Sequence, residues 1–364
     1  MSLASSKYLE YLFSPLDLIR TKKVLQVNPT APPKRNEPDN VRITLYSYDE
    51  QKCHSRSFSD AKGLIDNLHP GIKWINIDGI RKDIVEEISH RFEIHQLITE
   101  DILSSGQRPK MDELNDRLFC VLNMLYFNPG ESSVETEQIS IVLGEDFVLS
   151  FQEDASRDVF NSLREKLNLP NSKVRQNKAD FLFYMLIDAI VDRYFVVMEQ
   201  LGSRIEDLEE DIVRNPNQRT LARINQFRKE MIVLKRNLSP VREMISGILR
   251  SESSLIEERT VKYIKDIYDH IVQANDLADN YRDMMINFHD LYMSNVNLKL
   301  NEVMKVMAIV TCLLAPATVI GGIFGMNFDR IPLLHNQWGF FISVALMLFI
   351  PLWMIYFFKK RGWF

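Results

Sequence analysis

Apolar and polar positions divide the chain into three regimes. Residues 41–48 and 73–77 alternate apolar with polar side chains, as half-buried strands do. Residues 119–127 form a longer aromatic and β-branched run. Residues 139–143 and 147–151 flank Gly144-Glu145-Asp146, a hairpin signal. Helical periodicity fills 82–92 and 95–103, so residues 41–152 read as an α/β region. From Ala155 the pattern changes to long helices. One spans 179–213, a turn follows at Asn215-Pro216-Asn217, and a second helix spans 218–249 as its antiparallel partner. A third starts near Ser253. Ile264, Ile267, Ile271, Ala274, Ala278, Tyr281, Met285, Phe288 and Tyr292 step along it by threes and fours, a heptad-like seam. Continued to Phe324 it would be a rod of about 100 Å, a length suited to carrying motion into a membrane.

The last regime is apolar. Neither 306–324 nor 339–358 holds a charged residue, and each is about long enough for a hydrocarbon core of roughly 30 Å. In lipid a helix satisfies its own backbone, so both read as transmembrane helices. Lys305 precedes the first; Lys359, Lys360 and Arg361 follow the second. The intervening loop has Arg330 as its fixed positive charge, which puts both termini in the cytoplasm. Trp338, Trp353 and Trp363 suit the interfaces. The expected division is an extension and linker over 1–40, a cytoplasmic α/β domain over 41–152, helices and stalk over 153–302, and a membrane domain over 303–364 with spans at about 304–325 and 339–358.

The first span carries a stripe of small residues: Ala308, Thr311, Ala315, Thr318, Gly322 and Gly325. Such a stripe serves close helix packing or lines a narrow conduit. Two helices cannot enclose a wide pore, so transport requires several copies. Pro316 interrupts the backbone hydrogen bonding inside this span.

Composition narrows the options. The net charge is −5 and no segment is uniformly basic, which argues against nucleic acid. Cys53, Cys120 and Cys312 are too scattered for a disulfide framework or a zinc knuckle. No phosphate-binding loop GxxxxGK[ST] is present, and no catalytic constellation, so neither an ATP-driven pump nor an enzyme is expected. No organic cofactor is expected. Transport would run on the gradient and the membrane potential, which supplies a divalent ion about 4.6 kcal/mol per 100 mV. The acidic run 206–211 reads as a solvated helix face, and His90 and His95 do not share a face.

At the outer end of the first span stands Gly325-Met326-Asn327, between Phe324 and Phe328. With the short loop, the basic tail and the segments 95–113, 179–195, 266–270 and 301–307, it resembles the CorA magnesium channel family over nearly everything from residue 41. The resemblance implies a bacterial inner-membrane, multi-pass channel for Mg²⁺, with Co²⁺ or Ni²⁺ as further cargo. It implies a funnel-shaped homopentamer in lipid: an α+β cytoplasmic domain, long helices and a two-helix transmembrane hairpin. It makes Gly325, Met326 and Asn327 the selectivity filter. It places Asn301, Met304, Met307 and Thr318 on the pore, where Thr311 and Ala315 share their face, and Ala315 stands where family members carry a methionine. A neutral carboxamide ring can hold a hydrated Mg²⁺ without stripping it. It further implies a regulatory Mg²⁺ site between subunits, at Asp101 of one and Asp266 of the next, with Glu100, Asp188 and His270 close by. Leu333 follows Pro332 where the family often has an acid, so the loop is less electronegative. Two other readings remain: a proton-coupled zinc transporter of the same superfamily, and a membrane-anchored sensor without a pore.

Overall fold

The computed structural model describes residues 37–38, 40–328, 331–333 and 336–363. Almost all of the expected extension and linker, and Asp329 and Arg330 of the loop, lie outside the described residues. The chain divides into two compact units: 1–209 with 222–286, and 210–221 with 287–364.

In the first unit seven strands form one mixed sheet: β1 (Arg42–Tyr48), β2 (Cys53–Phe58), β3 (Ile72–Asp78), β4 (Lys110–Leu114), β5 (Arg117–Asn128), β6 (Ser133–Leu143) and β7 (Phe147–Gln152). Their order is β2-β1-β3-β7-β6-β5-β4. The β3–β7 pair is parallel and the others are antiparallel. The parallel pair needs a long crossover, which residues 79–146 supply. Alternation then sends side chains to two faces. On one, Ile43, Leu45, Ile75, Ile77, Leu149 and Phe119 meet the helices α1 (Ala61–Ile65), α2 (Lys82–Arg91) and α3 (Gln96–Leu103) through Leu64, Ile84, Ile88, Ile98 and Ile102. On the other, Trp74 meets Phe160 edge-on, just before α4 (Asn161–Asn168). That face also holds a polar chain: Trp74 Nε1 donates to Ser150 Oγ at 2.9 Å, and Ser150 Oγ to Asn76 Oδ1 at 2.7 Å. Satisfied in this way, the buried polar groups cost little.

Three long helices follow: α5 (Ala179–Arg214), α6 (Gln218–Arg250) and α7 (Glu258–Phe324), the last of 67 residues. Asn217 caps α6, its Oδ1 accepting from Arg219 N–H at 2.8 Å. The helix pair is tied to the sheet: Tyr194 Oη donates to the Asn123 carbonyl at 2.6 Å, and Glu230 accepts from Val134 N–H at 2.7 Å. The α7 seam is the buried stripe, from Ile264, Ile267 and Ile271 through Ala274, Ala278 and Met285. Gly202 of α5 has no side chain where Tyr281 of α7 lies; a Cβ there would be 2.5 Å from Tyr281 Oη. The helix begins five residues after the expected Ser253, because Ser251 Oγ accepts from Ser253 N–H at 3.1 Å and shapes a turn instead.

In the second unit the last part of α7 and α8 (Gly339–Lys360) are each long and apolar enough to cross a membrane. Large side chains lie bare along both, Met307, Leu314, Val319, Phe340, Leu348 and Trp353 among them. A folded chain leaves such surface uncovered for lipid or for other protein, not for water. Leu333, at φ +71°, turns its carbonyl toward Gly339, where a Cβ would come within 2.1 Å of it, so the start of α8 requires glycine.

Candidate ion pathway and metal-binding cluster

The residues expected to line a conduit occupy the far part of α7. Asn301, Met304, Met307, Thr311, Ala315 and Thr318 are all exposed in the single chain, as are Ala308, Gly322 and Gly325. The two hydroxyls are oriented by the helix itself. Thr311 Oγ1 donates to the Met307 carbonyl at 2.8 Å and Thr318 Oγ1 to the Leu314 carbonyl at 3.0 Å. Each hydroxyl hydrogen is thereby used, and what Thr311 and Thr318 offer outward is oxygen lone pairs. Lone pairs suit a cation or its water shell.

The helix ends on Phe324, with Gly325 N–H donating to the Gly321 carbonyl at 3.0 Å and Met326 N–H to the Ile323 carbonyl at 3.3 Å. Those bonds close the terminus before Asn327, which therefore is not spent as a helix cap. Asn327 is exposed, and its carboxamide has no hydrogen bond among the described residues. Gly325 and Met326, the other two members of the tripeptide, are likewise exposed and contribute the turn out of the helix.

The second cluster lies in the first unit. Asp188 and Asp192 stand one turn apart on α5, and His270 on α7 faces them; the three ligand atoms lie within 4.8 Å of one another. His270 Nδ1 is buried and has no hydrogen-bond partner. Burial first, and then the charge of Asp192, push the Asp188 carboxyl up to about 6, against the opposing pull of His270 and Lys166. Asp266, one turn before His270, adds its negative charge to Asp188 and to Tyr184. Two carboxylates and an imidazole nitrogen at this spacing are a ligand set for a divalent cation. Asp192 is the member that sequence reading passed over. It was legible as the residue four after Asp188, on the same helix face.

Asp101 and Glu100 are placed elsewhere. Both lie on the last turn of α3, where Asp101 is held by Lys110 at 2.6 Å and Glu100 is exposed. Lys110 also pairs with Asp112 at 2.9 Å. Within one chain, then, Asp188 and His270 come together while Asp101 and Glu100 stay outside that group, and Asp101 shares the ammonium of Lys110 with Asp112.

The Asp188 shift gives a prediction with a definite sign. A carboxyl raised from its ordinary value near 3.8 to about 6 favours the folded state while protonated and loses that contribution as pH rises between those values. Without divalent cations, the stability advantage of Asp188→Asn over the unsubstituted protein should grow from pH 4 to pH 7, read from thermal midpoints at about unit steps of pH. A flat difference would mean that Asp188 is not strained by its neighbours.

Comparison with known proteins bears on both regions. Residues 70–360 match the family described as CorA-like Mg²⁺ transporter protein. The cobalt/magnesium transport protein CorA of Thermotoga maritima is 40% identical over 329 residues, covering 89% of this chain and 93% of its own. A putative metal ion transporter of Bacillus subtilis is 29% identical, covering 81% and 91%. The zinc transport protein ZntB of Yersinia enterocolitica is more distant, at 21% identity over 84% of this chain and 94% of its own. The fold is shared with the CorA magnesium transporter of Methanocaldococcus jannaschii, at a TM-score of 0.72, 20% identity, and coverage of 88% of this chain and 98% of that one. The chain belongs to the CorA-like Mg²⁺ transporter family, whose members are transporters and not enzymes.

Proposed function

We propose that several copies of this chain, five on the family resemblance, surround a common axis and form a gated conduit for Mg²⁺, with Co²⁺ or Ni²⁺ as further cargo. The observation that carries this reading is the exposed stripe on α7, from Asn301 through Thr318 to Gly325, with Asn327 just beyond the helix end. Small residues let copies approach closely, and the outward lone pairs of Thr311 and Thr318 leave the stripe polar enough for a hydrated ion. At the mouth, a ring of Asn327 carboxamides hydrogen-bonds the water shell of Mg²⁺, binding weakly enough to release it. Both termini lie in the cytoplasm, and the spans cross the inner membrane.

Regulation follows from the carboxylates. Asp188, Asp192, Asp266 and His270 gather negative charge that a divalent cation relieves. Across a subunit boundary, Asp101 and Glu100 of a neighbour complete the site, provided that Lys110 yields. Internal Mg²⁺ bound there holds the closed arrangement, and its loss lets the copies separate. Asp266 and His270 stand on the same helix that ends at the mouth, so α7 carries the change.

Reconstitution in liposomes tests the cargo. Mg²⁺ should enter down its gradient without a pH gradient, and more strongly with a negative interior potential. Zinc flux that needs a pH gradient, with no Mg²⁺ flux, would favour the proton-coupled reading instead.

A further inference from the structure

At the sheet edge remote from β4, β2 and β1 form one wall of a cavity of about 350 Å³. Its lining includes Ser47, Lys52, His54, Arg56, Asn67 and His69. Register explains the convergence. Ser47 pairs with His54 and Leu45 with Arg56, so these side chains share one face. Lys52 comes from the hairpin turn, and Asn67 and His69 from the segment after α1. Arg56 Nη1 donates to Asn67 Oδ1 at 2.8 Å, which fixes the guanidinium across the rim and leaves its other N–H groups available. The one acid in the lining, Asp49, is already engaged, its Oδ1 accepting from Gln51 N–H and Lys52 N–H at 2.7 Å each. The next charged pair along the row, Lys73 with Asp146, neutralises itself. The concavity thus offers two cations, Lys52 and Arg56, and the polar groups of His54, Asn67 and His69, against the single carboxylate of Asp49, whose Oδ1 is turned into the hairpin backbone.

We infer that this cavity binds a phosphate-bearing small molecule, through Lys52, Arg56, His54 and His69. A planar guanidinium and an ammonium lining one cavity can match phosphate oxygens, and charge-assisted hydrogen bonds of this kind are the strong ones. A chain of phosphates fits a volume of about 350 Å³ better than one ion does. The site is separate from the cation cluster on α5 and α7 and does not depend on the ion-conduit reading.

The test uses the full-length protein in detergent, with EDTA present so that phosphate chains do not act by chelating Mg²⁺. Inorganic tripolyphosphate, ATP and adenosine are titrated by calorimetry. Tripolyphosphate and ATP should bind and adenosine should not; ATP binding more tightly than tripolyphosphate would identify a nucleotide, and equal affinity would identify the phosphate chain alone. Lys52→Glu with Arg56→Glu should weaken binding by about tenfold or more. The milder Arg56→Ala should weaken it in the same direction if the double variant does not fold. Lys82→Glu with Arg91→Glu, exposed cations on α2, should leave it unchanged. No binding by the unsubstituted protein, or equal loss in both double variants, would overturn the assignment.

Discussion

Asn327→Ala should abolish selective Mg²⁺ uptake while leaving the assembled complex intact. The carboxamide stands outside the helix, exposed, after Gly325 and Met326 have closed the terminus. Its removal therefore takes nothing from the fold. On the proposed pathway, what disappears is a polar contact from every copy to the water shell of the ion. A hydrogen bond to a neutral partner is worth about 0.5–1.5 kcal/mol, so losing several around the ring should lower uptake by about tenfold or more. Uptake in a Mg²⁺-dependent strain or in liposomes reads the effect, and size-exclusion chromatography checks assembly. Unchanged uptake would refute the filter assignment. Asn327→Asp separates charge from geometry. A carboxylate ring should bind divalent cations more tightly and slow their release, so flux falls although binding rises.

Asp266→Lys should remove the dependence of proteolysis on Mg²⁺. In the unsubstituted protein, Mg²⁺ should slow digestion of the cytoplasmic part several-fold, because a bound cation offsets the repulsion among Asp188, Asp192 and Asp266. Lysine at 266 puts a positive charge beside those carboxylates permanently. It also removes the carboxylate proposed to meet the cation across the subunit boundary. Digestion with and without Mg²⁺ should then proceed alike. The counterpart is His270→Ala, which deletes the buried Nδ1 and should weaken Co²⁺ protection more than Mg²⁺ protection, since imidazole prefers the softer ion. Identical digestion of the unsubstituted protein with and without Mg²⁺ would remove the gating account.

Much of this was readable along the chain, for physical reasons. The two spans announce themselves by length without charge, because lipid tolerates little else. The seam from Ile264 to Met285 is readable because a helix repeats its buried face at a fixed period, and all of its positions but the half-buried Tyr281 are buried. The strands that escaped notice are β2 and β4. The first, Cys53–Phe58, is an edge strand largely exposed on both faces, so no alternation marks it. The second, Lys110–Leu114, is only partly buried and rich in charge. Both owe their form to a neighbour's hydrogen bonds rather than to their own pattern. At the site, Asp188 and His270 were named from sequence, but their meeting across α5 and α7 is a tertiary fact. Asp192 needed the helix phase as well. The Lys110 pairing of Asp101 needed the turn into β4, which no local signal revealed.

The account rests on copies of α7 standing around one axis. Its most direct test is the mass of the intact complex extracted in mild detergent. Each chain has a mass of 42.6 kDa, and the account expects a single species holding five of them after correction for bound detergent and lipid. A monomer or a dimer at the same concentration would contradict it, because neither can enclose a path between the exposed faces of α7.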